Sequence, residues 1–389
     1  MPFLPSPPPA PAPPPALHPL LLLLLCLGLS PRLAADDPPF TKPGPFPVGV
    51  RTLILVDSTR HDPLTEGPRT LVTEVWYPAV DRAPGKKTGA FLDFFGAHPE
   101  AGEAFARHFG GVMEEVNRRF TTVAVRDEPA RSGKFPLLVF SHGNGGLRHQ
   151  NVFQMDHLAS HGYVVASPDH TGNAGVTVIG DRVVPYDRKG RTRSMEDRPR
   201  DASFVIDELL AETRRSGGWL EGRLDSDAIG ALGHSFGGYT VTKAAELDPR
   251  IRAILPMTLA YSKPATVPML LMLGALDRTV SETGNMVGKA FYVSSSGPKH
   301  LLVLERGGHY SFSDMDRINP SFGDGIGKSS KGGKTVEYLD SDLTKRIING
   351  YTLAFFDAYL KKDARAREFL TRNAFPGEIE LRHESGKEP

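Results

Sequence analysis

The sequence contains almost no cysteine. Cys26 is the single cysteine among 389 residues, and it lies inside an apolar stretch close to the N-terminus. If that stretch is removed on export, the mature chain has neither a thiol nor a disulfide. Its stability must then come from core packing alone.

An excess of charge of either sign is also missing. The chain has 46 basic and 45 acidic residues, which give a formal net charge of +1. This balance lacks the basic surface that nucleic-acid binding requires, and we expect neither nucleic acid nor a stable partner chain. A hydrophobic content of 40% and a charged content of 23% are typical of a folded protein rather than a disordered one.

The apolar stretch at residues 20–29 is too short to span a membrane, because a transmembrane helix needs ~20 apolar residues. Small residues, Ala34 and Ala35, follow it and offer a cleavage point before Asp36. We therefore expect residues 1–35 to be a signal peptide of a secreted or periplasmic protein. The usual basic residues before the apolar core are missing, so the alternative is a start codon placed too early in a cytoplasmic protein.

Strand-like runs recur along the rest of the chain, and most are continuous Val/Ile/Leu runs typical of strands buried on both faces. They occupy residues 51–56, 70–77, 135–140, 163–167, 228–232, 251–255, 269–273 and 301–304. The first two follow each other closely, which favours an antiparallel start. Helical patterns at 151–160, 201–214 and 239–246 separate the later runs, and a closing helix is expected at 342–362.

This alternation predicts an α/β fold: a mostly parallel central sheet of about eight strands flanked by helices. We assign residues 36–47 to a Pro-rich linker, 48–365 to one domain and 366–389 to a C-terminal extension. A helical insertion with many aromatic residues is expected at 88–124, between the second and third strands. The Gly/Ser/Lys-rich segment 321–337 is interpreted as a mobile loop, and the charged run 187–200 as a solvated loop that enters a helix.

The motif Gly233-His234-Ser235-Phe236-Gly237-Gly238 follows a predicted strand and precedes a predicted helix. In Gly-x-Ser-x-Gly the serine lies on a tight strand-to-helix turn, and only small neighbours allow strand and helix to approach so closely. The turn exposes the hydroxyl and places the N–H of Phe236 at a helix N-terminus, where it can stabilise an anion. Ser235 is therefore the candidate nucleophile, and a serine N-cap flanked by chance glycines is the alternative.

A serine nucleophile needs a base, and the base needs an acid that orients it. His309 follows the predicted strand 301–304, and Asp277 follows the strand 269–273. The order Ser235, Asp277, His309 is that of the α/β-hydrolases and of no other common serine hydrolase. A surface aspartate and a surface histidine are the alternative interpretation.

An oxyanion hole requires a second backbone donor beside that of Phe236. The glycine-rich turn at residues 140–146, "FSHGNGG", follows a predicted strand and precedes a helix. By position its donor is the N–H of Asn144. Loss of one such donor typically reduces the rate by about 100- to 1,000-fold.

Two other histidine patterns are interpreted as structural. His157 and His161 have helical spacing but lack the intervening Glu of a zinc-protease motif, so we expect them to pack within the helix. Asp169 and His170 are interpreted as a turn at the sheet edge. The sequence predicts no metal and no cofactor.

The segments "FPLLVFSHGNGGLRHQ", "DHLASHGYVVASPDHTG" and "GALGHSFGGYT" resemble the secreted type of the platelet-activating factor acetylhydrolase family. The early segments "GPFPVGVRTLILVD" and "VTEVWYPA" are similar to that family's opening strands, so the resemblance covers roughly residues 43–310. It implies an α/β-hydrolase fold and a calcium-independent serine esterase that prefers short or oxidised acyl groups on a phospholipid. It also implies Ser235 as nucleophile, His309 as base, and Asn144 and Phe236 as the oxyanion hole.

The sequence departs from the family's plasma enzyme at two positions. That enzyme carries its acid after the strand that follows the nucleophile helix, whereas residues 254–260 here contain no carboxylate. The acid role therefore falls to Asp277, as in most α/β-hydrolases. Asn144 replaces an apolar residue, which changes little because the backbone is the donor.

These observations predict a serine carboxylic-ester hydrolase that works through an acyl-enzyme. A lipase, a cutinase-like polyesterase and a dienelactone-type hydrolase are alternatives, and a non-catalytic binding protein with a hydrolase fold is a more remote one. The aromatic segment 91–120 is a candidate for an acyl-pocket wall or a lipid-surface contact. Ordinary packing of the insertion is the alternative.

Overall fold

The computed structural model describes residues 38–80, 88, 98–259, 261, 263–331 and 334–386. The signal peptide expected at 1–35 and the aromatic residues at 91–95 lie outside this part of the chain, so both remain predictions. No helix within the described residues is both long and apolar enough to cross a bilayer.

Fourteen strands and nine α-helices lie in the described part of the chain. The strands are β1 (Val48–Asp62), β2 (Gly67–Pro78), β3 (Val125–Arg126), β4 (Phe135–Ser141), β5 (Val164–Pro168), β6 (Val176–Ile179), β7 (Arg182–Pro185), β8 (Leu224–His234), β9 (Ile251–Met257), β10 (Met269–Gly274), β11 (Lys299–Leu304), β12 (Lys328–Lys331), β13 (Lys334–Glu337) and β14 (Ile379–Glu384). The helices are α1 (Pro99–Phe109), α2 (Met113–Arg119), α3 (Val152–Ser160), α4 (Arg191–Arg214), α5 (Phe236–Leu247), α6 (Ser281–Ser294), α7 (Met315–Ile318), α8 (Ser341–Tyr359) and α9 (Ala364–Phe369).

The main sheet has ten strands in the order β14-β11-β10-β9-β8-β4-β5-β2-β1-β3. Neighbours from β11 to β5 are parallel, whereas β2 pairs antiparallel with both β5 and β1. All eight predicted strands are present, and the mostly parallel α/β fold is confirmed. The sheet is larger than predicted because β3 and β14 extend its two edges.

Both faces of the sheet are covered, which explains the continuous apolar runs. Along β4, Leu138 and Phe140 face one core while Leu137 and Val139 face the other. Helices α3 and α8 and the insertion pack on the first face, and α4, α5 and α6 pack on the second. Each side chain of a central strand is therefore buried whichever way it points.

Three predictions about the irregular segments were wrong. The run 187–200 is mostly helical, because α4 begins at Arg191, and Arg198 within it is fully buried. The segment 321–337 contains the hairpin β12–β13 rather than only a loop. Part of the C-terminal extension, β14, pairs with β11 and belongs to the sheet. In each segment the composition indicated an exposed, irregular structure, whereas tertiary contacts produce a regular one.

The insertion is helical in its described part, as predicted, and it packs inward. Phe105, Phe109 and Phe120 are each no more than 3% exposed and belong to the core of the first face. These three side chains are therefore not available to a lipid surface. The described part of the aromatic segment, residues 98–120, therefore packs into the core, which was the alternative interpretation.

The crossover of the chain places two loops together at one sheet edge. From β4 the chain runs to β5 on one side, and it returns through β8 on the other side of β4. In open α/β sheets, ligands bind at such a reversal, beyond the carboxyl ends of the strands. The loop after β4 contains Asn144, and the turn after β8 contains Ser235, so the predicted site lies at this reversal.

Asp156 on α3 connects the end of the insertion to the sheet domain. Its carboxylate accepts hydrogen bonds from the Thr122 hydroxyl at 2.9 Å and from the Val123 N–H at 3.0 Å. No cation lies within ion-pair distance of it in the described part of the chain. Burial raises the pKa of Asp156 from 3.8 to about 7. The folded state therefore favours the protonated carboxyl group.

A raised pKa in the folded state stabilises the protein fully below the unfolded-state pKa, and this contribution is lost as pH rises through the folded-state pKa. For Asp156 that window runs from about pH 4 to about pH 7. We expect the wild type to lose stability over this window relative to Asp156→Asn, which cannot ionise. Urea unfolding of both proteins at pH 5 and pH 8 measures the difference. A difference that does not change with pH would contradict this prediction.

Candidate active site

Ser235 lies on the turn between β8 and α5 with a strained backbone. Its φ of 56° and ψ of −121° are rare for a residue with a side chain. A Cβ added at Gly237 would lie 1.8 Å from the carbonyl oxygen of Ser141, and one at Gly233 would lie 2.3 Å from that of Gly237. Glycine is thus required at both flanking positions because backbones meet there.

The side chain of Ser235 remains open. The backbone N–H of Ser235 donates to the carbonyl of Met257 at 2.8 Å, whereas the hydroxyl makes no hydrogen bond to a described residue. The residue is half-buried. The turn is therefore held by its backbone, and the hydroxyl is left unengaged.

His309 and Asp277 are in direct contact. The imidazole Nδ1 of His309 lies 2.8 Å from Asp277 Oδ2, and both residues are buried. The other carboxylate oxygen of Asp277 accepts from the N–H groups of Thr279 and Val280 at 2.9 and 3.0 Å. Because a carboxylate only accepts, Nδ1 carries the proton and Nε2 presents its lone pair. No polar group of the described residues occupies Nε2.

A chain of side-chain hydrogen bonds joins the three loops of the site. The Gln150 side chain accepts from the Gly143 N–H at 2.9 Å, and its amide nitrogen lies 2.8 Å from His234 Nδ1. His234 Nε2 in turn lies 2.9 Å from the carbonyl oxygen of His309. The loop after β4, the turn at Ser235 and the loop that carries His309 are therefore fixed relative to one another.

The His234 link requires a neutral imidazole, because its Nδ1 accepts while its Nε2 donates. Burial lowers the pKa of His234 well below its usual value, and the nearby His309 lowers it further. The rings of His234 and His309 lie 4.8 Å apart. A neutral His234 places no positive charge beside the His309 imidazole.

The two predicted oxyanion donors are free of other partners in the described part of the chain. Neither the N–H of Asn144 nor that of Phe236 makes a hydrogen bond there. The N–H of Gly143 is already used by Gln150, which leaves Asn144 as the donor of this loop. The Asn144 side chain turns away and contacts Tyr186 and Asn173 at 2.7 and 2.9 Å.

The insertion borders the site through one side chain. His108, near the end of α1, lies 2.8 Å from the carbonyl oxygen of Gly145 and packs against the ring of Tyr186. A Cβ at Gly145 would lie 2.7 Å from the His108 ring. The insertion therefore forms a wall beside the predicted oxyanion loop.

Asp324 lies in the segment that the sequence indicated as a mobile loop, yet it is only 8% exposed. One carboxylate oxygen accepts from the N–H groups of Arg278 and Thr279 at 3.0 and 2.7 Å. The other accepts from the N–H of His309 at 3.2 Å. Asp324 therefore fastens the Asp277 loop to the His309 loop.

The remaining histidine candidates lie elsewhere. The Nε2 atoms of His157 and His161 lie 2.9 Å from the carbonyl oxygens of Phe40 and Lys42, at the start of the described chain. No group of three or more His, Cys, Asp or Glu residues that could hold a metal occurs among the described residues. Asp169 and His170 are both buried just after β5: Asp169 accepts from the N–H of Arg148 at 2.8 Å, and His170 Nδ1 lies 2.9 Å from Asp201 on α4.

Sequence reasoning missed Gln150, His234 and Asp324. Gln150 and His234 lie within motifs that the sequence had already singled out, so their nearness to the site was foreseeable. Asp324 gave no such signal, because it lies in a segment whose composition indicates an exposed loop.

Two family models match this chain. The one described as platelet-activating factor acetylhydrolase, isoform II, matches residues 43–185, and the one described as PET hydrolase-like matches residues 131–323. Platelet-activating factor acetylhydrolase of Canis lupus familiaris is 30% identical over 314 residues, 69% of this chain and 66% of the relative. That of Cavia porcellus is 26% identical over 273 residues, 61% of this chain and 60% of the relative.

These matches support an α/β-hydrolase similar to the platelet-activating factor acetylhydrolases. The match spans less than two thirds of the length of either mammalian enzyme. Cutinase est2 of Thermobifida alba is also similar, with 22% identity over 256 residues, 62% of this chain and 75% of the relative. A ferulic acid esterase from Streptomyces cinnamoneus shares the fold, with a TM-score of 0.65 and 24% identity over 87% of this chain and 98% of that one.

The α/β-hydrolase fold explains the site's layout. In this fold, the loop after β4 and the turn after β8 meet at the reversal of strand order. The residues after β10 and β11 lie beside them. The resemblance and the fold expected from the motifs at 135–150, 156–172 and 230–240 are confirmed.

A substitution of Asp324 tests directly whether this side chain holds the Asp277 loop against the His309 loop. We expect Asp324→Ala to lower the free energy of unfolding by roughly 2–4 kcal/mol, because several buried donors lose their acceptor. Asp181→Ala, at an exposed position, is the matched control and should change stability by less than about 0.5 kcal/mol. Urea unfolding of both variants checks this. Equal stabilities for the two variants would show that the hydrogen bonds of Asp324 do not stabilise the two loops.

Proposed function

We propose that this protein is a serine carboxylic-ester hydrolase that works through an acyl-enzyme. The observation that carries the proposal is the hydrogen bond between His309 and Asp277, at the same sheet edge as the unengaged hydroxyl of Ser235. The relatives' names support it, since they are acetylhydrolases, cutinases and an esterase.

In the proposed first step, the Ser235 hydroxyl attacks the ester carbonyl carbon while His309 Nε2 takes the hydroxyl proton. Asp277 holds the imidazole in the required tautomer and stabilises the imidazolium. The developing oxyanion is bound by the N–H groups of Asn144 and Phe236. His309 then protonates the leaving alcohol, and an acyl-enzyme remains on Ser235.

The second step repeats the first with water as nucleophile. His309 takes a proton from water, the hydroxide attacks the acyl carbonyl, and collapse of the second tetrahedral intermediate returns the proton to Ser235. The products are a carboxylic acid and an alcohol. No metal or cofactor takes part in this scheme.

As substrate we propose a phospholipid with a short or oxidised sn-2 acyl chain. The resemblance to the acetylhydrolases over residues 43–185 supports this choice. That stretch contains Asn144 but none of Ser235, Asp277 and His309. The PET hydrolase-like match at residues 131–323 contains all of them, and it favours a cutinase-like polyesterase as the second candidate.

Labelling with a serine-directed phosphonate tests the chemistry. We expect one mole of label per mole of protein, on Ser235, and a loss of ester turnover on the order of 10,000-fold in Ser235→Ala. Ser58→Ala, at an exposed serine, should behave like the wild type. Mass spectrometry of the labelled peptide and steady-state rates provide the readouts. Label on another residue, or turnover that survives in Ser235→Ala, would contradict the assignment and would also favour a non-catalytic role for this site.

A panel of esters tests the substrate. We expect turnover of p-nitrophenyl acetate and butyrate, and of a phospholipid with an sn-2 acetyl group, at rates that fall steeply with acyl length. A polyester film and p-nitrophenyl palmitate are measured beside them. Preference for long acyl chains would contradict the phospholipid proposal, and release of acid from the film without turnover of the phospholipid would establish the polyesterase instead.

A further inference from the structure

Arg198 is the largest charged side chain of α4 that is fully buried, with 0% exposure. Its guanidinium donates from Nη2 to the Ser141 hydroxyl at 2.9 Å and to the carbonyl oxygen of His142. From Nη1 it donates to the Asn173 side chain at 2.6 Å. All three acceptors are neutral. A buried arginine normally contacts a carboxylate, so this set of partners is unusual.

Asp201, three residues further along α4, already binds two other arginines. Asp201 accepts from Arg69 twice at 2.7 Å and from Arg60 at 2.8 Å, and His170 Nδ1 lies 2.9 Å from it. No carboxylate of the described residues lies within ion-pair distance of Arg198. Burial lowers the pKa of Arg198 to about 9, which still leaves it charged at neutral pH. The fold therefore holds a positive charge in its interior without an ion-pair partner among the described residues, which is unfavourable.

Arg198 contacts the surroundings of both predicted oxyanion donors. The carbonyl of His142 precedes Asn144 by two residues in the same loop. Asn173, which accepts from Arg198, donates its amide to the Asn144 side chain at 2.9 Å and accepts from the Gly145 N–H at 2.9 Å. On the other side, the guanidinium carbon lies 4.5 Å from the centre of the Phe236 ring. One side chain thus supports both halves of the hole.

The neighbouring Ser141, His170 and Asp201 are hydrogen-bonded in the order of a catalytic triad. The Ser141 hydroxyl lies 2.9 Å from His170 Nε2, and His170 Nδ1 lies 2.9 Å from Asp201. All three are 0% exposed, and the Ser141 oxygen already accepts from Arg198. These three buried residues are therefore not accessible to a substrate. Their hydrogen bonds orient Ser141, which Arg198 contacts.

We propose that Arg198 is a positioning residue for the oxyanion hole, and that its unpaired charge stabilises the anionic tetrahedral intermediate through the loop it holds. This inference rests on the proposed esterase function. The donors themselves are backbone groups, so their alignment depends on what lies behind them. An ion-pair partner would cancel the field at the intermediate, which gives a reason for leaving this cation unpaired.

The first experiment compares Arg198→Met, Arg198→Lys and the control Arg200→Met in the full chain. Arg200 lies on the same helix and is exposed. The readouts are kcat and KM for p-nitrophenyl butyrate, and the inhibition constant of an alkyl boronic acid, which forms a tetrahedral anion on a nucleophilic serine. Circular dichroism and thermal unfolding report whether each variant is folded.

We expect Arg198→Met to lower kcat about 100-fold with KM within threefold of the wild type, since loss of an oxyanion contact has effects of this order. Boronic acid affinity should fall by a similar factor. Arg198→Lys keeps the charge and should recover part of both, and Arg200→Met should match the wild type. A folded Arg198→Met whose kcat and boronic acid affinity stay within threefold of the wild type overturns the proposal, as does an effect on KM alone.

A second variant decides the matter even if Arg198→Met does not fold. Asn173→Asp keeps an oxygen acceptor against Arg198 and supplies the missing counter-charge, but it no longer donates to the Asn144 side chain. We expect it to unfold at a temperature no lower than the wild type, yet to have a kcat reduced at least tenfold further than that of Asn144→Ala. The latter removes the same side-chain contact between residues 144 and 173, together with the contact to Tyr186, without adding a charge. A kcat for Asn173→Asp equal to that of Asn144→Ala overturns the proposal.

The wild type separates this inference from the function on which it rests. If the wild type neither hydrolyses the ester nor binds the boronic acid, the proposed function fails. If the wild type does both and the Arg198 and Asn173 variants behave as their controls do, the esterase stands and only the role of Arg198 is rejected.

Discussion

The close approach of backbones around Ser235 is the constraint on which the site depends. Gly237 lies so near the end of β4 that any side chain there would overlap the Ser141 carbonyl. This contact brings the helix after β8 against the strand before the Asn144 loop, and it forces the positive φ of Ser235. A strained backbone of this kind persists only where surrounding structure holds it. Here the ten-stranded sheet, covered on both faces, supplies that support.

Hydrogen bonds then connect the loops that the sheet brings together. Gln150 and His234 join the loop after β4 to the turn at Ser235 and to the His309 loop, and Asp324 joins the His309 loop to that of Asp277. Arg198 contacts His142 and Asn173 beside the Asn144 loop, and its guanidinium packs on the ring of Phe236. The chemically reactive groups are few, whereas the side chains that orient them come from distant parts of the chain.

The sequence was informative where the apolar pattern of a segment reflects its burial in the fold. Buried strands of a covered parallel sheet have to be continuously apolar, so all eight predicted strands exist, and the residues after their carboxyl ends were foreseeable at one edge. It was uninformative where a polar side chain is buried by distant contacts. Arg198 and Asp324 lie in stretches rich in charge or glycine, and only the tertiary fold shows that they are inside. The edge strand β14 was missed for a similar reason, because its residues Glu380, Arg382 and Glu384 look like those of an exposed tail.

The central claim is that one hydroxyl, one imidazole and two backbone N–H groups converge on a single carbonyl carbon. A crystal structure of the protein inhibited by a phosphonate ester measures this most directly. The account predicts phosphorus bonded to the oxygen of residue 235, one phosphonyl oxygen within hydrogen-bond distance of the N–H groups of residues 144 and 236, and Nε2 of residue 309 close to the bonded oxygen. An adduct whose phosphonyl oxygen points away from those N–H groups, with the imidazole of residue 309 turned elsewhere, would contradict it.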